Sequence, residues 1–243
     1  MSETKSFDIS IKVTLEELAR DVVRGYEGQL PLAHVLADNW VCFSDPLILQ
    51  IQGQNGETTA HVAARKGTLP EGFNQWHLAD ESGWTVAHEA AKRELLPADF
   101  DQWKLARYDG WTVAHEAARS IMFPSNFELW DLADENGYTV AHEAARNGLL
   151  PERFSRWEIA YHNHGFTVAH EAAIRGPLPP DFNMWELATD NGWIVAHQAA
   201  QRGHLPEGFD NWDLKDNEGK TVADVAAWFD ARNTNARSPK MGM

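Results

Sequence analysis

The hydrophobic and polar positions of this chain recur with a fixed period of 27 residues. Each period holds a run of small apolar residues around an Ala-His pair, followed by a proline, a phenylalanine and a tryptophan at constant spacing. The histidines follow one another at 27 residues, with one step of 28, and are His61, His88, His115, His142, His170 and His197. This pattern predicts a repeat array, because a unit this small buries its apolar face only against its neighbours.

The copy that begins at Gly137 shows the first element of the unit. Thr139 is placed to cap an alanine-rich helix that runs to residue 146, and its hydroxyl would accept a backbone N–H of the first turn. Gly148 is predicted to end this helix in the left-handed conformation.

The same copy predicts a second helix. Pro151 suits the first helical position, where its missing N–H costs nothing. Phe154 and Trp157 are three residues apart and would share a core-facing side of that helix. The prediction is therefore an all-α fold, a helix-turn-helix α-solenoid with capping elements at both ends.

The copies also set the predicted domain organisation. Six full copies span residues 56–218, and residues 1–55 form an N-terminal segment with a degenerate capping copy. Within that segment a helix is predicted over residues 14–24. Residues 219–243 are predicted to form a C-terminal capping helix, ending at residue 232, and a mobile tail.

The unit resembles the ankyrin repeat, whose pattern is D-x-x-G-x-T-P-L-H-x-A-A-x-x-G. The matching positions in one copy are Asp134, Gly137, Thr139, His142, Ala144, Ala145 and Gly148. The resemblance covers roughly residues 29–230 and implies a protein-binding scaffold whose histidines hydrogen-bond within and between repeats. Ankyrin units run about 33 residues, so the deficit of this shorter unit falls in the second helix and the loop after it.

Five consecutive copies carry an aromatic residue directly after the turn glycine. We call these the aromatic row: Trp84, Trp111, Tyr138, Phe166 and Trp193. In ankyrin proteins this position lies at the turn edge of the concave face, where partners usually bind. One interpretation is therefore a row of exposed recognition residues. The other is that the rings stack on one another and cover the repeat junctions.

A second row follows the histidines. We call it the glutamate row: Glu89, Glu116, Glu143 and Glu171, with Gln198 in the next copy. In ankyrin units this residue often faces the concave groove. With the acidic turn tips (Glu81, Asp109, Glu135 and Asp190) the row would form an acidic stripe beside the aromatic row. The alternative is an ordinary solvated helix face.

Two copies depart from the pattern. Glu94 and Ile121 replace the glycine that ends the first helix elsewhere, and the apolar stretch 120–123 is unusual for a turn. Both a local bend and a contact site remain open as interpretations.

Composition narrows the classes of function. A single cysteine, Cys42, excludes a disulfide framework and a cysteine-rich zinc module. The net charge of −15 argues against direct binding to nucleic acid or to an anionic membrane. No apolar run approaches the roughly 20 residues that span a bilayer, and the start shows no secretory signal. We therefore expect a cytoplasmic protein.

No catalytic or cofactor motif is visible, and we expect neither enzymatic activity nor a metal or other cofactor. The nucleophile elbow, the P-loop and the dinucleotide fingerprint are all missing from the sequence. The histidines occur in every copy, which is typical of scaffold residues. His162 and His164 lie with Tyr161 in the turn that holds the extra residue of one copy, but a metal site there would need further ligands.

Two functions follow as hypotheses. The first is a scaffold that binds a protein or peptide partner with a basic surface through the aromatic and glutamate rows. The alternative is an acidic inhibitor that mimics nucleic acid and blocks a nucleic-acid-binding protein or a defence-system component.

Overall fold

The computed structural model describes residues 22–23, 30–120, 123–161 and 164–237. The chain forms two compact units, residues 1–96 and residues 97–243.

In its described residues, 22–23 and 30–96, the first unit contains a small antiparallel ladder and four α-helices. Strands β1 (Val22–Val23) and β2 (Leu30–Pro31) pair with Val22 opposite Pro31. The helices are α1 (Leu32–Asp38), α2 (Pro46–Leu49), α3 (Thr59–Lys66) and α4 (Val86–Lys92), and a short 3-10 turn spans Gln54–Gly56. Helix α3 packs between α1 and α4.

Among the residues that the structure describes, the second unit has a stack of five helices, each packed on the next. They are α5 (Val113–Ala117), α6 (Val140–Asn147), α7 (Val168–Arg175), α8 (Val195–Arg202) and α9 (Val222–Arg237). The valines and nearly all the alanines of α5 to α8 are almost fully buried, because alanine lets neighbouring helices approach closely. The predicted class, an all-α array of helical repeats, is confirmed.

The prediction of a second helix within each repeat is wrong. After Pro151 the chain forms two successive turns, in which Phe154 N donates to Pro151 O and Ile159 N donates to Arg156 O. Carbonyl groups of this segment accept N–H groups at the start of the next helix, as Trp157 O does from Ala169 N. Those N–H groups lack partners inside their own helix, so an extended segment satisfies them where a helix would not.

Most of the phenylalanines and tryptophans of these turns lie in the core, as predicted, but Trp212 is 40% exposed. Within a repeat the two rings meet edge to face, for example at 5.1 Å between Phe154 and Trp157. In the second unit each tryptophan also meets the next phenylalanine edge to face, for example Trp130 and Phe154 at 5.6 Å. This geometry suits aromatic quadrupoles.

The predicted helix ends and terminal segments agree with the structure only in part. Gly148 ends α6 with φ +72, as predicted, and Glu94 occupies the equivalent left-handed position with φ +61. Ile121 lies outside the described residues. So does most of the predicted helix over 14–24, although its last part is wrong because Val22 and Val23 form β1. Helix α9 continues to residue 237, so the predicted tail is partly helical.

Candidate functional site

The repeated histidines hold the repeats together, as the resemblance implied. In α6 the backbone N–H of Thr139 donates to His142 Nδ1, and His142 Nε2 donates to the carbonyl oxygen of Phe166 in the next repeat at 3.1 Å. His115 and His170 make the same link to Tyr138 and Trp193. Burial lowers the pKa of His142 to about 4, so the neutral ring is the stable form.

Each ring of the aromatic row packs on the histidine four residues later. The ring centroids are 4.8 to 5.4 Å apart, with interplanar angles between 29° and 33°. All five aromatic residues remain partly exposed. The row is therefore neither fully exposed nor sealed into the repeat junctions: a buried imidazole supports each ring.

The indole rings are also tied to the glutamate row. Trp84 Nε1 donates to Glu89 Oε2 at 3.2 Å, and Trp111 Nε1 donates to Glu116 Oε2 at 3.1 Å. Trp193 makes the same bond to the amide oxygen of Gln198 at 3.2 Å. The carboxylates thus fix the orientation of the rings.

The glutamate row is not a solvated helix face. Glu89, Glu116 and Glu143 are 5%, 3% and 6% exposed, and Glu171 is partly buried. Burial of a carboxylate is costly unless it is paired, and arginines supply the pairing. That alternative is wrong, because these carboxylates are largely buried and contact arginines and indole N–H groups.

The arginines were not identified from the sequence as site residues. In the first unit Arg65 Nε lies 3.4 Å from Glu89 Oε1. In the second unit Arg119 pairs with both Glu116 and Glu143, at 3.5 and 3.6 Å. Arg65, Arg119 and Arg146 each stand four residues after a repeat histidine. That spacing was a visible signal. With its arginines the row is a ladder of alternating charge, so its carboxylates are compensated.

The second unit also contains a groove beside its aromatic row. Two cavities, of about 700 and 430 Å³, share Tyr138, Arg146 and Tyr161 in their walls. Tyr161 belongs to the one copy with an extra residue. Its ring lies 5.7 Å from that of Tyr138 and 5.9 Å from that of Phe166, and therefore lies between two members of the row.

The groove perturbs the titratable groups that line it. Burial raises the pKa of the Glu171 carboxyl, an effect that the nearby Arg146 opposes. Burial also raises the pKa of the Tyr138 hydroxyl. Glu171 lies 3.8 Å from Arg146 Nε, a loose ion pair that leaves the guanidinium largely in solvent.

The turn tips carry the exposed negative charge. Glu81, Glu135 and Asp190 are exposed, whereas Asp109 is partly buried and pairs with Arg107. The structure thus separates two groups that the sequence placed in one stripe.

Within ranges 22–23, 30–120, 123–161 and 164–237, no three or more histidine, cysteine, aspartate or glutamate side chains gather as metal ligands would. No helix in that part of the chain has the length and apolarity needed to cross a membrane.

Comparison with known proteins supports the fold. No protein-family model and no curated protein matches the sequence. Among solved structures, the ankyrin repeat domain of Bcl-3, a member of the IkappaB protein family, superimposes with a TM-score of 0.50 and 20% identity. The match covers 71% of this chain and 95% of that one. The chain therefore has an ankyrin-repeat fold.

A second solved structure is less similar. It is a predatory endopeptidase from Bdellovibrio bacteriovorus in complex with an immunity protein, with a TM-score of 0.45 and 17% identity. The match covers 63% of this chain and 94% of that one.

Proposed function

We propose that this protein is a non-enzymatic scaffold that binds a protein or peptide partner through its aromatic and glutamate rows. The observation that carries the proposal is the fixed position of the partly exposed rings. Each ring packs on a buried histidine, and each indole of the row is bonded to the side chain five residues later. Rigid aromatic side chains lose little entropy when a partner binds, which makes them effective anchors.

The aromatic row and the glutamate row have different roles in binding. The rings of Trp111, Tyr138, Phe166 and Trp193 contact the partner in the second unit, and Trp84 repeats the arrangement in the first. The carboxylates of the glutamate row act mainly by holding the rings and the arginines. The exposed turn tips and the net charge of −15 favour a partner with basic groups beside the rings.

The test is capture of a partner from an extract of the source organism, with mass spectrometry. We expect the intact chain to retain a partner that the Trp111→Ala and Trp193→Ala variants lose. Tyr108→Ala is the matched control, because Tyr108 is 74% exposed and lies outside the row. Circular dichroism establishes that each variant is folded. Full retention by both folded tryptophan variants would contradict the proposal.

The exposed turn tips favour one alternative, an acidic inhibitor that mimics nucleic acid. Glu81, Glu135 and Asp190 are available to a basic groove, whereas the buried glutamate row is not. In that case Glu135→Gln with Asp190→Asn abolishes capture while the tryptophan variants retain it. Binding would also weaken steeply as salt is raised.

A further inference from the structure

The cavity of about 700 Å³ in the second unit has a mainly positive lining, although the protein is acidic. The chain carries 21 basic and 36 acidic side chains. The cavity of about 700 Å³ is nevertheless lined by Arg146, Arg175 and Arg202, with Glu171 as its one acidic residue. The lining of this cavity is therefore opposite in sign to the net charge of the protein.

Two of these arginines are available to a ligand. Arg175 and Arg202 are exposed, and within the described part of the chain neither forms an ion pair. Arg146 is 66% exposed and only loosely paired with Glu171. Guanidinium groups bind carboxylates through two parallel hydrogen bonds, so each exposed arginine can supply the donors for one carboxylate.

A buried hydroxyl points to the same ligand chemistry. Among the described residues, the Tyr138 hydroxyl oxygen is buried and has no hydrogen-bond partner. The Arg146 guanidinium beside it can only donate hydrogen bonds, so it leaves the hydroxyl proton of Tyr138 without an acceptor. Buried polar groups without partners are uncommon in folded proteins, and a bound acceptor would complete this one.

The remaining walls of the cavity are apolar and could contact the uncharged parts of a peptide. Tyr161, Phe166 and Ile174 supply apolar surface next to the arginines. The volume is in the range of pockets that hold a ligand of a few hundred daltons, which corresponds to a short stretch of peptide. The Glu171 carboxylate disfavours a doubly charged phosphate more than it disfavours single carboxylates.

We infer that this cavity binds the carboxylate side chains of an acidic segment in the partner protein. Arg175 and Arg202 bind the carboxylates, and the Tyr138 hydroxyl donates a hydrogen bond to one of them. Tyr161 packs against the segment. The inference rests on the proposed function, to which it adds the chemistry of one contact. The partner then carries basic groups at the turn tips and an acidic segment in the cavity.

The test is fluorescence anisotropy with a fluorescein-labelled hexa-aspartate peptide, and with hexa-asparagine as the uncharged comparison. Non-specific attraction would not favour an acidic peptide, because the protein is itself strongly negative. We expect the full chain to bind hexa-aspartate and not hexa-asparagine. Arg175→Gln or Arg202→Gln should weaken binding about tenfold, and Tyr138→Phe at least threefold.

Arg153→Gln is the matched control, since it makes the same change in net charge at an exposed arginine outside the cavity. The inference is overturned if hexa-aspartate fails to bind, or if Arg153→Gln weakens binding as much as Arg175→Gln does. It is also overturned if inorganic phosphate displaces the peptide at lower concentration than acetate does, because the site would then be a phosphate site.

The outcomes separate this inference from the proposed function. If Trp111→Ala loses the captured partner while hexa-aspartate does not bind, the inference fails and the scaffold proposal stands. If hexa-aspartate binds at the arginines while the tryptophan variants keep the partner, the cavity is a binding site and the aromatic row is not.

Discussion

His142 Nε2 donates a 3.1 Å hydrogen bond to the backbone carbonyl oxygen of Phe166, one repeat further along the chain. Nδ1 of the same ring accepts the N–H of Thr139 in its own repeat. The ring therefore carries its proton on Nε2, and a second proton would remove the Nδ1 acceptor. The same constraint holds at each repeat histidine whose two bonds are seen, such as His115 and His170.

We first predict that the protein loses stability between pH 7 and pH 5. Burial lowers the pKa of His142 and His170 to about 4 from 6.5, and lowers that of His61, among others. On acidification the unfolded chain takes up protons first, so stability falls as pH drops below about 6.5. His142 and His170 each contribute at most about 1.4 kcal/mol per pH unit between their unfolded and folded pKa values.

Thermal unfolding followed by circular dichroism from pH 8 to pH 5 measures this effect. A repeat of the series at 0.5 M salt is the control, because salt screens exposed charges and leaves buried histidines unaffected. A constant melting temperature across this range would rule the mechanism out.

The second prediction concerns two glycines with the same backbone conformation. Gly110 and Gly208 have φ of +78 and +79, so alanine at either position costs about 1 kcal/mol in strain. At Gly110 a Cβ would also lie 2.9 Å from the backbone nitrogen of Glu135, whereas at Gly208 the space is open. Gly110→Ala should lose about 1–3 kcal/mol more than Gly208→Ala. Calorimetry of the two variants tests this, and equal losses would show that the close approach of the turns does not matter.

The third prediction is that Glu94→Gly stabilises the protein. Glu94 holds φ +61 at the end of α4, a conformation that glycine adopts without strain. We expect a gain of about 1 kcal/mol, or roughly 2–4 °C in melting temperature. Glu94→Ala separates backbone from charge, because it removes the carboxylate and keeps the Cβ. If the alanine variant gains as much, charge rather than backbone strain is responsible.

The fourth prediction uses a substitution that the chain already contains. Gln198 accepts the indole N–H of Trp193 in the way that Glu116 accepts that of Trp111. Glu116→Gln should therefore cost little, whereas Glu116→Ala removes an acceptor from both Trp111 and Arg119. We expect a loss of about 1–3 kcal/mol for the alanine variant. Thermal melts with tryptophan emission report the loss and the exposure of the ring, and similar melts for both variants would show that the acceptor is unimportant.

Much of the fold followed from the sequence, because the determining interactions are local or repeat at a fixed spacing. The threonine cap, the left-handed Gly148 and the repeat histidine all act over a few residues. The sequence could not exclude a second helix in this way. The backbone conformation of that segment depends on N–H groups of the following helix, such as Ala169 N, and those groups belong to the next repeat.

The aromatic row illustrates the same division. Its period was visible in the sequence, but its burial was not, because each ring lies on a histidine whose position depends on the neighbouring repeat. The arginines are a second example of a feature that depends on the tertiary structure. Arg119 binds the carboxylates of two successive repeats, and only stacking brings Glu116 and Glu143 to the same guanidinium.

The sequence by itself determined the repeat, its first helix, its caps and its aromatic core, since these depend on spacing along one chain segment. The tertiary structure alone decided which charges are compensated and where the positive cavity lies. Charge compensation depends on distances between side chains of different repeats, and Arg175 and Arg202 line one cavity with Tyr138 only after the helices stack.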